Sequence, residues 1–185
     1  MTTEAKERAK AVRQSFRLLM NGEAADSMRS KGLGYRVVWG AALTDLKRMA
    51  AEIGKDAALA AELWKDDVRE SKITATLTMP PGEMSAELAE EWARQLGTTE
   101  MAELAAFNLF QYVEGIADCA FRWIAAEDEL LQICGYGTIS GLLKHGGTLA
   151  VEDSNEISDQ AAAALSGGST ALKRAAANCM ALLEG

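Results

Sequence analysis

The chain has 185 residues, enough for one sizeable core or one short helical array. Hydrophobic residues make up 49% of it, which excludes a disordered chain, and the formal net charge is −8. No run approaches the roughly 18 consecutive apolar residues that a membrane span needs, and Met1 to Arg13 alternates acids and bases without an apolar stretch, so neither a membrane protein nor a secreted one is expected.

Ala, Leu and Glu are abundant and β-branched runs are nearly absent, a mix that favours helix almost everywhere. The spacing predicts a first helix from about Thr3 to Leu19, with Val12, Phe16 and Leu19 on one stripe. A short helix from about Glu23 to Ser30 follows, and Lys31-Gly32-Leu33-Gly34 breaks the pattern. Leu43, Leu46, Met49, Ala50 and Ile53 recur at helical spacing, with Gly54 as the terminating glycine. Asp56 is placed to cap the next helix, which carries Leu59, Leu63 and Trp64. Asp66-Asp67 then opens a helix with Val68, Ile73 and Leu77, acids that suit the positive end of its dipole.

Thr78-Met79-Pro80-Pro81-Gly82 is the strongest break and reads as a turn between helices. Ser85 caps a helix bearing Leu88, Trp92 and Leu96, stopped by Gly97. Thr98 or Thr99 caps a long apolar helix running through Tyr112, and Gly115 starts one holding Ala120, Phe121 and Ile124. Glu127-Asp128-Glu129 forms an acidic first turn. The helix behind it contains Gly135, Gly137 and Gly141, which cost about 1 kcal/mol each in a helix interior unless they permit close packing. Gly146-Gly147 ends that run, and two Ala-rich helices follow, from about Asn155 to Leu165 and from about Ser169 to Leu183. Helix pairs recur about every 35–40 residues, as in a HEAT-like solenoid of antiparallel pairs. The expected fold is therefore all-α, a single HEAT-like superhelical domain over residues 1–185, with a globular bundle as the alternative.

The three cysteines, Cys119, Cys134 and Cys179, are odd in number and widely spaced, and read as reduced core thiols of a cytoplasmic protein. A single histidine, His145, rules out a His-based metal cluster. Charge is uneven: residues 1–79 hold 14 Lys/Arg and 11 Asp/Glu, whereas residues 80–185 hold 5 and 16. The acidic half repels phosphate backbones, so any phosphate-contacting strip belongs to the first half.

No nucleotide-binding loop, serine-hydrolase elbow or His-Glu-x-x-His motif is present, and neither a metal nor a cofactor is expected. His145 beside Gly146-Gly147 suits a helix C-terminus, where imidazoles commonly bond the last carbonyls. Carboxylates sharing a helical face remain: Glu100 with Glu103, and Glu114 with Asp118. Such pairs are ordinarily a solvated face, and the functional alternative is general acid–base work or stabilisation of a developing cation. Glu103 stands out because its helix is otherwise apolar. Trp64, Trp92 and Trp123 read as core anchors. Trp39 lies near a glycine-rich segment with Tyr35 and Arg36, where stacking on a base or a partner is open.

The stretch from Leu46 to Asp56, then Glu62-Leu63-Trp64, Val68 to Ile73, Glu91-Trp92 and Phe107-Asn108-Leu109-Phe110 resembles the DNA alkylation repair glycosylases with HEAT-like repeats, the AlkD-like family. The register continues through Trp123 and the helix from Leu130 to Lys173-Arg174-Ala175, so the resemblance covers about residues 35–180. It implies a concave, positively charged groove for duplex DNA and excision of cationic lesions such as 3-methyladenine and 7-methylguanine. It also implies a site made of a Trp, an Asp four residues later, an Arg on the next repeat and a second Trp near the C-terminus. The aromatics would face the lesion, and the carboxylate would stabilise an oxocarbenium-like sugar. This sequence has Thr99, Glu103, Ile133 and Asn178 at those four places.

Three readings follow. The leading one is a helical scaffold with a degenerate glycosylase site, binding DNA or a protein partner on its concave face. The second is a DNA glycosylase that uses Glu103, and the third is an unrelated helical role. Tyr35, Arg36, Trp39, Lys47, Arg48, Arg69 and Lys72, with Lys55, are the residues expected to meet a nucleic acid or partner.

Overall fold

The computed structural model describes residues 3–184. Helix order follows the hydrophobic stripes. In the first half these are α1 (Thr3–Ser15), α2 (Gly22–Ser30), α3 (Leu43–Ile53), α4 (Ala57–Trp64) and α5 (Arg69–Thr78). The second half holds α6 (Ala86–Ala93), α7 (Thr99–Asn108), α8 (Ala117–Ile124), α9 (Glu129–Lys144), α10 (Val151–Gly167) and α11 (Thr170–Leu183). The chain divides into two compact units, Met1–Glu83 and Met84–Gly185, so the Pro80-Pro81-Gly82 break falls at the boundary. Among the described residues no helix is long and apolar enough to cross a membrane.

Short polar side chains start most of these helices. Asp56 accepts a bond from the Leu59 amide at 2.9 Å, Ser85 from Leu88 at 3.2 Å and Thr98 from Met101 at 3.1 Å. Asp128 accepts from the Leu130 and Leu131 amides at 2.7 and 3.2 Å. Each satisfies a backbone donor that the helix itself leaves open. Gly54 ends α3 at φ +78°, a conformation that β-carbons disfavour.

In the first unit α3 and α4 both pack on α5, and α1 packs on α4. Phe16, Leu46, Leu59, Leu63 and Ile73 form the fully buried core. The acidic pair Asp66-Asp67 does not open α5, as its sequence suggests; the helix begins at Arg69, behind an extended Val68. The cause is a backbone bridge. The Val37 amide donates to the Asp67 carbonyl at 3.2 Å and the Arg69 amide to the Val37 carbonyl at 3.1 Å, which holds Val68 extended. Asp66 pairs instead with Arg13, its carboxylate 2.6 Å from Nε.

In the second unit α9 is central, packed against α7, α8 and α11, with α10 on α11. Its glycines are close-contact positions, as their spacing predicts. A β-carbon on Gly135 would lie 2.8 Å from the Ala120 carbonyl oxygen, and one on Gly137 would lie 3.0 Å from the Ala106 β-carbon. One on Gly141 would collide with the Gln111 side chain. The helix expected to run on to Tyr112 stops at Asn108. Leu109 turns to φ −136° and a single 3-10 turn, Phe110–Tyr112, follows. That turn places Phe110 against Trp123, ring centroids 5.2 Å apart, and brings Gln111 onto Gly141.

Candidate nucleic-acid interface

The residues expected to contact nucleic acid in the first unit fall into two groups. Arg69 is 3% exposed; its guanidinium donates to the Ala41 carbonyl at 3.0 Å and to Glu70 at 3.2 Å. Lys72 is half-buried, donating to the Trp64 carbonyl at 2.8 Å with its ammonium 4.2 Å from the centre of the Trp64 ring. Burial lowers its pKa, against the pull of Asp67 and Asp66. These two cations therefore act inside the protein. Arg48 pairs with Asp45 one turn back at 2.9 Å, and Lys55 donates to the Leu77 and Met79 carbonyls. Arg36 and Lys47 are exposed, and Tyr35 and Trp39 are half-buried. Lys47 and Lys55 border one depression beside Leu77.

Trp39 has neighbours that its sequence surroundings do not reveal. The Arg17 guanidinium lies 6.0 Å from its ring centre. A shallow cleft of about 210 Å³ joins the two with Lys10, Arg13 and Phe16. Lys10 lies in α1 and Arg17 in the 3-10 turn Phe16–Leu19 that follows it, seven residues on, and helical periodicity carried past Ser15 could have paired them.

The second unit holds a concavity of about 340 Å³ between α7, α9, α11 and the 3-10 turn. Its lining follows helical periodicity on each wall. Glu103 and Phe107 come from α7; Ile133, Gly137, Ser140, Gly141 and Lys144 from α9; Arg174 and Asn178 from α11. The space left open by Gly141 is taken by the Gln111 side chain and that left by Gly137 by Ala106. Gln111 closes one end, its amide donating to the Phe107 carbonyl. Across the mouth, Arg174 pairs with Glu103. Lys144 adds a second cation, so two of the five basic residues of the acidic half sit on this cavity.

Other candidate chemistry is muted. Glu100, Glu114 and Asp118 do not line this cavity. His145 follows the last turn of α9, its backbone amide bonding back to Gly141 and Leu142 and its ring 5.1 Å from Tyr112. All three cysteines are free and buried. Desolvation pushes the Cys134 and Cys179 thiols up, which keeps them protonated and unreactive. Burial likewise pushes Tyr136 up to about 12. Among the described residues no group of three or more His, Cys, Asp or Glu gathers as a metal site would require.

A family model described as DNA alkylation repair enzyme matches residues 12–181. The chain belongs to this family. A solved structure described as "a new family of proteins related to the HEAT-like repeat DNA glycosylases with affinity for branched DNA structures" superposes with a TM-score of 0.81. It is 20% identical, and the match covers 94% of this chain and 74% of that one. That likeness gives the fold, HEAT-like repeats of paired helices. A search of curated proteins finds no match.

For this member of the DNA alkylation repair family, three of the four positions singled out by the resemblance line one cavity: Glu103, Ile133 and Asn178. Thr99 lies one turn before Glu103 on α7, half-buried, and is not part of the lining. Sequence reading missed Arg174, Lys144, Phe107, Gln111 and Ser140. Phe107 sits four residues beyond Glu103, Arg174 four before Asn178, and Gly137, Gly141 and Lys144 continue the face of Ile133. Extending each marked position by one turn would have found Phe107 and Arg174; Ser140, Lys144 and Gln111 lie two or more turns away.

Proposed function

We propose that this protein is a non-catalytic DNA-binding scaffold of the DNA alkylation repair family, one that engages branched or distorted DNA and does not excise bases. The observation that carries the reading is the Glu103–Arg174 ion pair. A carboxylate that is to stabilise a developing sugar cation has to face the reacting atoms without a competing cation. Here Glu103 already faces a guanidinium, and the neighbouring walls offer Ile133 and Asn178. Reach matters as well, because a displacement of about 1 Å can cost about 100-fold in rate. The fold likeness to proteins described as having affinity for branched DNA supports a DNA partner. Arg174, Lys144 and the Arg17–Trp39 cleft supply cations and aromatic surface for it. Free buried thiols suit a reducing, cytoplasmic compartment.

The second reading, a glycosylase using Glu103, keeps one supporting fact: the carboxylate does line the cavity. Binding is tested with a four-way junction and a linear duplex of equal length, titrated at several salt concentrations. The expected result is tighter binding of the junction, with log affinity falling linearly in log salt by about 0.9 per phosphate contacted. No binding of either DNA at about 50 mM salt, from folded protein, overturns the reading.

A further inference from the structure

Resting on the DNA-binding reading, we infer that the 3-10 corner after α1 is a branch-point wedge: Leu18 and Met20 enter between bases at a DNA junction, while Arg17 and Lys10 hold the phosphates beside them. The argument starts from exposure. Leu18 is 87% exposed and Met20 60% exposed, although both are large and apolar. They sit on and just behind the turn Phe16–Leu19. Residues three apart share a face of a 3-10 turn. Phe16 and Leu19 take the inner face, Phe16 fully buried, and Leu18 is left pointing outward. The corner is also pinned at both ends, so the wedge is held ready. Phe16 anchors one end in the core. At the other, the Met20 amide donates to the Arg17 carbonyl at 3.5 Å and the Asn21 amide to the Trp39 carbonyl at 2.9 Å. A β-carbon on Gly40 would collide with the Asn21 carbonyl oxygen, so the two backbones touch there.

Charge decides what the wedge meets. Arg8 pairs with Asp56 and Arg13 with Asp66, so those two cations of α1 are already neutralised. Lys10 and Arg17 are exposed, and among the described residues no carboxylate pairs with either. Both border the cleft floored by Phe16, Val37, Trp39 and Val68. The Arg17 guanidinium rests 6.0 Å from the Trp39 ring centre, a contact that orients a cation without cancelling its charge. An apolar tip flanked by two available cations is complementary to DNA, where phosphates border stacked bases. Proteins that kink DNA insert Leu or Met side chains between base steps in this way. Opening a step is costly in an intact duplex and less so where pairing is already interrupted. The wedge therefore favours a junction over a linear duplex.

The test uses the full chain with a four-way junction and a linear duplex of equal length, each carrying 2-aminopurine at its central step. The wild type should raise 2-aminopurine fluorescence on the junction, as the base leaves its stack, and not on the duplex. Leu18→Ser/Met20→Ser should bind the junction about tenfold more weakly and give no rise at saturating protein. Both positions are exposed, and circular dichroism checks the fold. Arg17→Gln should lower the log–log salt slope of junction binding by about 0.9, the loss of one phosphate contact. Three results overturn this inference and leave the DNA-binding reading standing. One is junction binding by the wild type without a rise. Another is a rise that survives Leu18→Ser/Met20→Ser, or an affinity loss under about twofold in that variant. The third is light scattering that shows a wild-type dimer and a Leu18→Ser/Met20→Ser monomer, because a second copy would then cover the patch. Failure of the wild type to bind either DNA overturns both.

Discussion

Replacing Glu70 by Ala should lower unfolding stability by about 3–5 kcal/mol, the range for removing one partner of a buried charge pair. Glu70 is 0% exposed. One oxygen accepts from the Trp39 amide at 3.1 Å; the other accepts from Gly40 at 3.0 Å, Ala41 at 3.3 Å and Arg69 at 3.2 Å. The carboxylate therefore binds three consecutive amides of the segment between α2 and α3 and neutralises the buried Arg69 guanidinium. Truncation removes the acceptor of those amides and one acceptor of Arg69 in a site closed to water. Glu70→Gln keeps one acceptor but turns an amide group towards donors, so it should recover only part of the loss. Urea unfolding with an unchanged slope measures the difference. A loss under about 1 kcal/mol for Glu70→Ala, the value of an exposed pair, would show that the cluster contributes no more than a surface contact.

A loss of similar size is expected in the second unit from Trp123→Ala, about 3–5 kcal/mol, the range for emptying a large aromatic site. Trp123 is 1% exposed, with its ring on Phe110 and its indole N–H donating to Glu90 at 2.9 Å. Truncation empties the space between α8 and the 3-10 turn and leaves Glu90 without that bond. Trp123→Phe keeps an aromatic ring on Phe110 but loses the hydrogen bond and part of the ring volume, so it should cost less, about 1–2 kcal/mol. The same change bears on function. Phe110 precedes Gln111, which lines the α7–α9–α11 cavity, so loosening that turn should also disturb the cavity wall. Equal stability of Trp123→Ala and Trp123→Phe would contradict this account of the packing.

Much of the fold was legible because local rules decide it. The caps at Asp56, Ser85 and Thr98, the glycine that ends α3 and the close-contact spacing along α9 all follow from backbone donors, left-handed turns and missing β-carbons. Where sequence reading placed an element differently, the competing force came from a distant part of the chain. Val37 bridges to Val68 and delays α5; Gln111 and Gly141 fit together and end α7 early. The same holds for the site. The family resemblance marked Glu103, Ile133 and Asn178, but nothing local signalled that Arg174, 71 residues away, would pair with Glu103. Nor could a count of cations foresee that Arg69 and Lys72 would turn inward, since burial is settled by tertiary packing.

The claim that the family's fold is retained without its excision chemistry rests on Glu103 and Arg174. The most direct measurement is release of 3-methyladenine and 7-methylguanine from methylated duplex DNA, comparing the wild type with Glu103→Gln at low salt. The account predicts release at the spontaneous rate from both proteins. Release above that rate from the wild type, lost in Glu103→Gln, would contradict it and make Glu103 the catalytic carboxylate.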